Sequence, residues 1–205
     1  MAGQEIENQE QQIYRALLLD IVCGNYQPGD MVSKIELREA YQADREPAQA
    51  VLRTLCEENV LYRAPEQGYR VTATADRELS DIQRFRCVLE AGFMNRFWNM
   101  ITSEAVSDLE ELQNKPDECD VFFHWEQNKR FHLRLMQCYD DPYATKLLSE
   151  TLAVQTRSFV QNRWDLWHKA RFSERPLIHE EIIEEIRDGK KMLACKLLEA
   201  DIKTF

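Results

Sequence analysis

Asp44-Arg45-Glu46-Pro47-Ala48-Gln49-Ala50-Val51-Leu52-Arg53 is the stretch whose reading decides the fold. Asp44 is placed to cap a helix, because a short oxygen-bearing side chain can accept from the open backbone N–H groups of a first turn. Val51, Leu52 and Leu55 follow at core spacing, so a helix from about Arg45 to Glu58 is expected. Upstream, Ser33 and Glu36 form a capping box that opens a short helix ending near Tyr41. Earlier still, Gln9 to Cys23 sets Ile13, Ala16, Leu17, Leu19, Ile21 and Val22 largely on one side, and Gly24 with Pro28-Gly29 stops that helix. Downstream, Val60-Leu61-Tyr62-Arg63 and Tyr69-Arg70-Val71-Thr72 read as two strands joined by the turn Pro65-Glu66-Gln67-Gly68.

Three helices and a hairpin in about 70 residues is the order of a winged helix-turn-helix, which lays one helix in the DNA major groove. A small α+β domain without a nucleic-acid role has the same pattern. Charge speaks for that second reading. Residues 1–70 carry seven Lys/Arg against twelve Asp/Glu, a local charge of -5, where DNA-binding surfaces are normally positive.

The whole chain of 205 residues has a net charge of -10, which excludes a nonspecific nucleic-acid binder. Apolar residues make up 44% of it, enough for two modest cores but with no run of the roughly 20 needed to span a membrane. Met1 to Gln12 is polar and acidic, unlike a signal or transit peptide, so a cytoplasmic protein is expected. The six cysteines (Cys23, Cys56, Cys87, Cys119, Cys138 and Cys195) are scattered without a Cys-x-x-Cys pair, as expected for reduced thiols.

After a short polar connector, Ala73 to Arg77, every remaining segment carries a helical pattern. Helices are expected near Glu78–Asn99, Ser103–Asn114, Asp120–Tyr139, Pro142–His168, Ser173–Asp188 and Lys190–Phe205, punctuated by Pro116, Pro142, Pro176 and Gly189. The fold class is therefore mainly α: a winged helix-turn-helix of three helices and a hairpin wing over residues 1–73, joined to an all-α bundle over 78–205.

Specific motifs sharpen this. Gly24-Asn25-Tyr26-Gln27-Pro28-Gly29-Asp30, the Asp44–Leu52 helix, Glu58-Asn59-Val60-Leu61 and Gln67-Gly68-Tyr69-Arg70-Val71 resemble, in order and without gaps, the DNA-binding domain of the GntR family of bacterial regulators. The resemblance implies that Lys34, Arg45, Glu46, Gln49, Arg53 and Gly68 face DNA. Arg45 is retained from the family's recognition helix and would read a guanine edge or grip phosphate. Glu46 replaces a phosphate-contacting Thr, and Gln49 replaces a second Arg, keeping the ability to pair with adenine without the charge. Lys34, Arg53, Arg63 and Arg70 are the remaining candidates for phosphate contact; solvated surface is the plain alternative for each.

The second half resembles the effector-binding bundle of the FadR-type branch of the same family. Asp81-Ile82 with Arg86 and Leu89-Glu90, Phe131-His132 with Leu135, and His179 with Ile182, Ile186 and Gly189 carry that likeness. In many members an Asp and three His bind a divalent metal. The matching positions are Asn128, His132, His179 and Asp201, so the carboxylate and one imidazole have exchanged places. Two imidazoles and a carboxylate suit zinc, nickel or manganese, with Asn128 a weak neutral fourth ligand and His124 a further group on the same helix face. The alternative is a pair of buried imidazoles hydrogen-bonded around a water or ligand.

Arg86, with His132 and His179, is implied as the site of a small carboxylate effector, since a guanidinium fork matches a carboxylate. An ion pair with Glu90, four residues on, competes with that role. Trp98, Trp125, Trp164 and Trp167 read as packing residues, and the Glu180-Glu181, Glu184-Glu185 run as a solvated face.

The expected protein is a homodimeric transcription regulator, not an enzyme. It would bind double-stranded operator DNA with half-sites about one helical turn apart, under control of a carboxylate metabolite. Two other functions are weighed against it. One is a metabolite-responsive interaction module with lost or weakened DNA binding. The other is a metal enzyme using His132, His179 and Asp201 with Glu126 or Glu180 as base, for which no nucleophile motif is present.

Overall fold

A computed structural model of the chain describes residues 2–22, 25–65, 68–73, 76–113, 121–162 and 178–204. It forms two compact units, the first built on residues up to Asp76 and the second on those from Arg77. The first unit also takes in the residues of the long helix Pro142–Asn162 from Ala153 onward.

In the first unit, α1 (Ala2–Val22) precedes a short strand β1 (Met31–Val32), α2 (Lys34–Ala40), α3 (Arg45–Glu57), and strands β2 (Leu61–Ala64) and β3 (Gly68–Val71). Helix α1 starts well before the expected Gln9, because Gln4, Glu5, Ile6 and Glu7 ahead of it continue a helix-compatible run despite Gly3. Its buried stripe is Ile13, Leu17, Leu18 and Ile21. Leu19, expected inside, is instead exposed, since one residue rotates the helix by about 100° and only Leu18 stays over the core.

Ser33 caps α2 by accepting from the Glu36 N–H at 3.0 Å, as expected. Asp44 occupies the cap position of α3 in extended conformation, yet its side chain makes no capping bond. The reason lies inside the first turn, where Pro47 stands with no N–H to offer. Helix α3 buries Pro47, Ala48, Val51, Leu52 and Leu55, and Tyr14 of α1 donates to Glu58 Oε2 at 2.6 Å just beyond its end.

The expected two-stranded wing is a three-stranded antiparallel sheet in the order β1-β3-β2. Tyr62 lies opposite Arg70 and Ala64 opposite Gly68, so each strand reaches one residue further toward the turn than expected. Gly68 opens β3 with φ +85°, a left-handed conformation that favours glycine. Strand β1 pairs Met31 with Arg70 and Val32 with Tyr69. The Gly29 N–H donates to the Val71 carbonyl, the Val71 N–H to the Asp30 carbonyl, and Arg70 Nη1 to the Gly29 carbonyl at 2.7 Å.

The second unit opens with a helix expected to be continuous from Glu78 to Asn99. It is instead α4 (Asp76–Arg86), a π turn (Cys87–Ala91), α5 (Gly92–Arg96) and a 3₁₀ turn (Trp98–Met100). Glycine at 92 weakens the helix there, and Phe97 leaves helical geometry with φ -114° and ψ 27°. Then come α6 (Ser103–Glu111), α7 (Val121–Gln137), α8 (Pro142–Asn162), α9 (His179–Arg187) and α10 (Lys191–Thr204). Thr102 caps α6 by accepting from the Ala105 N–H. The expected helical stretches 163–168 and 173–177 lie outside the described residues, as do Trp164, Trp167 and Cys119.

Helix α9 packs on α10 and α6, and α10 packs on the π turn. Met94, Leu109, Phe131, Leu135, Leu148, Ile182, Leu198 and Ile202 fill the space between them. Trp125 is buried and Trp98 packs half-buried against the core, in keeping with packing roles. Cys56, Cys87, Cys138 and Cys195 are free thiols. No helix of the described residues is long and apolar enough to cross a membrane.

Candidate functional site

Two groups of side chains carry chemistry, one in each unit. In the first, α3 presents Arg45, Gln49 and Arg53 at steps of four residues, hence along one helix face. Arg45, Glu46 and Arg53 are exposed, and Gln49 is half-buried. The Gln49 side-chain amide donates to the Tyr69 hydroxyl at 3.0 Å, which ties the helix to the wing. Lys34, the first residue of α2, holds its ammonium 5.8 Å from the centre of the same Tyr69 ring. So Lys34 and Gln49 meet around one aromatic residue that the sequence marks only as part of a strand. Arg63 is exposed, whereas Arg70 is engaged by the Gly29 carbonyl. Gly68 stands exposed where the wing turns.

In the second unit, Arg86, Glu90, Asn128, His132, His179 and Asp201 are all buried. Arg86 ends α4, Glu90 lies in the π turn, Asn128 and His132 stand one turn apart on α7, His179 begins α9, and Asp201 is on α10. Arg86 Nε donates to Glu90 Oε1 at 2.7 Å. The Glu90 Oε2 atom accepts from His132 Nδ1 at 2.5 Å, and His132 Nε2 lies 2.9 Å from Asp201 Oδ2. His179 Nε2 lies 3.3 Å from that same oxygen, and its ring stacks on Phe131 at 3.9 Å between centres.

Burial opposes ionisation of Glu90, but the Arg86 guanidinium and the His132 ring outweigh it and hold the carboxyl below its usual range. Asp201 behaves likewise, with burial outweighed by the two imidazoles. Burial also opposes charge on His132, yet Glu90 and Asp201 together push its basicity up. Burial dominates at His179 and pushes its basicity down, with its Nε2 facing Asp201. The competing ion pair between Arg86 and Glu90 is present, and it sits inside the site.

The donor atoms of His132, His179 and Asp201 lie within 4.8 Å of one another. A first-row divalent ion with bonds of about 2.0–2.2 Å needs its ligand atoms about 3–3.5 Å apart, so the set can close on an ion with small adjustments. Asn128 adds to the fit: both polar atoms of its buried amide lack a hydrogen-bond partner among the described residues. The His124 side chain lies outside those described. Glu180 is exposed, and Glu126 is spent on Lys129 at 2.6 Å, so neither stands in this cluster as a base. Glu184 is also exposed and Glu185 pairs with Lys190 at 3.1 Å, in keeping with a solvated face.

Sequence reasoning places Glu90 only as the partner of Arg86, and its contact with His132, 42 residues away, has no local signal. The π turn is equally invisible in the sequence, because its residues keep a helical pattern.

Comparison with known proteins agrees with this arrangement. Residues 9–71 match the family model described as "Bacterial regulatory proteins, gntR family", and residues 81–204 match the FCD domain. The HTH-type transcriptional repressor GlaR of Escherichia coli is 25% identical over 198 residues, covering 92% of this chain and 84% of that protein. The HTH-type transcriptional repressor RspR of E. coli is 27% identical over 136 residues, 63% of this chain and 59% of its own length. The solved structure of E. coli McbR/YncC superposes with a TM-score of 0.67 at 18% identity, covering 96% of this chain and 94% of that one. The chain therefore belongs to the GntR family of bacterial regulators, in the branch carrying an FCD domain, and is a DNA-binding transcriptional regulator rather than an enzyme.

Proposed function

We propose that this regulator is a homodimeric repressor whose grip on operator DNA is set by a small carboxylate bound together with a divalent metal in the second unit. The observation that carries the reading is the buried convergence of His132, His179 and Asp201, which Arg86 joins through Glu90. Buried charge is expensive unless it is paired and hydrogen-bonded, as it is here, and clusters of groups that perturb one another concentrate at functional sites.

His132, His179, Asp201 and Asn128 would hold zinc, nickel or manganese. When bound, the ion supplies fixed positive charge that draws a carboxylate. Arg86 supplies the guanidinium fork that orients that carboxylate. Lys34, Arg45, Gln49, Arg53 and the Gly68 wing turn would meet the DNA, with Glu46 as an opposing charge. Relatives with printed roles as repressors support repression as the output. Exposed Phe85 at the end of α4, Val88 in the π turn, and Met192 and Leu193 on α10 support a dimer. A coupling of about 1–3 kcal/mol between effector and operator is the usual range for such linkage.

A second reading, an interaction module with lost DNA binding, is favoured by Glu46 and by the engagement of Gln49 with Tyr69. Binding to the DNA upstream of the protein's own gene, measured across salt, separates the two. The repressor reading expects sequence-dependent affinity that falls steeply with salt. Affinity weaker than ~10 µM at low salt, with no dependence on sequence, selects the second reading.

A further inference from the structure

Every member of the buried cluster has a place in the reading above except Glu90, which nonetheless touches two of them. Its side chain is 2% exposed, and its two oxygens have separate tasks. Oε1 accepts from Arg86 Nε at 2.7 Å, and Oε2 accepts from His132 Nδ1 at 2.5 Å. An ion pair with Arg86 would use one oxygen; the second settles the proton of His132. With that proton held on Nδ1, the ring turns Nε2 toward Asp201 and His179, where the other donors stand.

The backbone supports the same reading. Glu90 lies in the π turn Cys87–Ala91, and such turns inside α-helices are frequent at functional sites. A carboxylate behind a ligating imidazole fixes its tautomer and raises its basicity, typically at a cost of 10–100-fold in metal affinity when removed.

We infer that Glu90 is the positioning residue of the site: it orients His132 to offer Nε2 to a divalent metal and, through its other oxygen, links that metal to the carboxylate-binding Arg86. The inference rests on the proposed metal reading of His132, His179, Asp201 and Asn128. Metal and carboxylate then bind cooperatively because one side chain is shared between their receptors. An amide cannot replace it, since Gln puts an NH2 donor where one of the two carboxylate oxygens now accepts.

The test uses the full chain stripped with a chelator and titrated with zinc in competition with a chromophoric chelator, for wild type and Glu90→Gln. Acetate, the smallest carboxylate suited to the purpose, is then titrated with and without zinc. Wild type is expected to bind zinc and to bind acetate more tightly in its presence. Glu90→Gln is expected to bind zinc 10–100-fold more weakly and to lose the zinc-dependent gain in acetate affinity. Long-range proton–nitrogen NMR on the wild-type zinc form should show the His132 proton on Nδ1.

Zinc binding by Glu90→Gln within about twofold of wild type overturns the role of Glu90 while leaving the metal reading intact. If the variant does not fold, the wild-type spectrum decides, and a zinc-loaded His132 ligated through Nδ1 overturns the inference. A wild-type chain that takes no zinc overturns the metal reading, and this inference falls with it.

Discussion

Replacing Arg86 by Met tests the energetic heart of the bundle. The Arg86 side chain is 0% exposed and Glu90 is 2% exposed, so the substitution keeps the volume of the stem while stranding a buried carboxylate. Breaking a buried pair from one side costs about 3–5 kcal/mol, most of it the penalty on the charge left behind. Here Glu90 retains His132 as a partner at 2.5 Å, which places the cost near the lower limit, about 3 kcal/mol. For a chain of this length that is a fall in Tm of roughly 6–12 °C.

Urea unfolding followed by tryptophan fluorescence reads the bundle, because Trp125 is buried on the same helix as His132. Two compact units need not unfold together, so the bundle transition is fitted separately. Removing the stranded charge as well, in Arg86→Met/Glu90→Leu, should recover about half of the loss, leaving His132 without its acceptor. A loss below about 1 kcal/mol for Arg86→Met, or a double variant that is simply the sum of two large costs, refutes the picture of a coupled buried network.

Three further outcomes follow from other parts of the molecule. Glu46→Thr removes a carboxylate from the exposed first turn of α3 and should tighten operator binding about fivefold, from ~1 kcal/mol of repulsion at about 4 Å in water; titration at low salt checks it, and unchanged affinity places Glu46 away from phosphate. Tyr69→Phe deletes the hydroxyl that holds Gln49, so base preference at one operator position should change by ~1–3 kcal/mol with no change in salt slope, since no charge is altered; selection from a random-sequence DNA pool reads this directly. The last outcome concerns pH in chelator-treated protein. His179 is depressed below its ordinary 6.5, so it favours the folded state less as pH falls through that value, whereas raised His132 stabilises fully below 6.5 and loses that contribution as pH rises through its folded value. The two imidazoles therefore act on opposite sides of pH 6.5. Glu90 and Asp201, both lowered, stabilise above their ordinary values of 4.5 and 3.8 and lose that effect in acid. The urea midpoint of wild type should therefore rise as pH falls toward 6.5, decline as pH falls further, and drop more steeply below about pH 4.5. His179→Gln removes the decline below 6.5, so its midpoint should rise as pH is lowered to about 6.5 and then hold level to about 5.5; a fall between those values would contradict the assignment.

The sequence is most legible where the determinants are local. Val51, Leu52 and Leu55 place α3, and Ser33 with Glu36 places the start of α2, because spacing and capping act within a turn or two. The family motifs also single out His132, His179 and Asp201 as one set, and these three side chains do converge in the fold. What escapes reading depends on contacts between distant parts of the chain. Two residues, Met31 and Val32, are too short for a period of two to register, and their strand exists only because β3 is there to pair with. Leu18 and Leu19 differ only in the side of the helix they take. The second oxygen of Glu90 reaches a histidine 42 residues on, and Gln49 reaches a tyrosine 20 residues on, separations over which sequence pattern carries no geometry.

The small strand β1 has a mechanical consequence. Its bonds lace the wing to the segment that feeds α2, and the Gln49–Tyr69 bond laces the wing to α3 from the other side. A hairpin tied through β3 both along its backbone edge and by the Tyr69 side chain moves with the helices it is tied to. Helix and wing therefore act as a single stiff jaw, and any signal that loosens the hold on DNA has to reposition that jaw whole, not bend one of its parts.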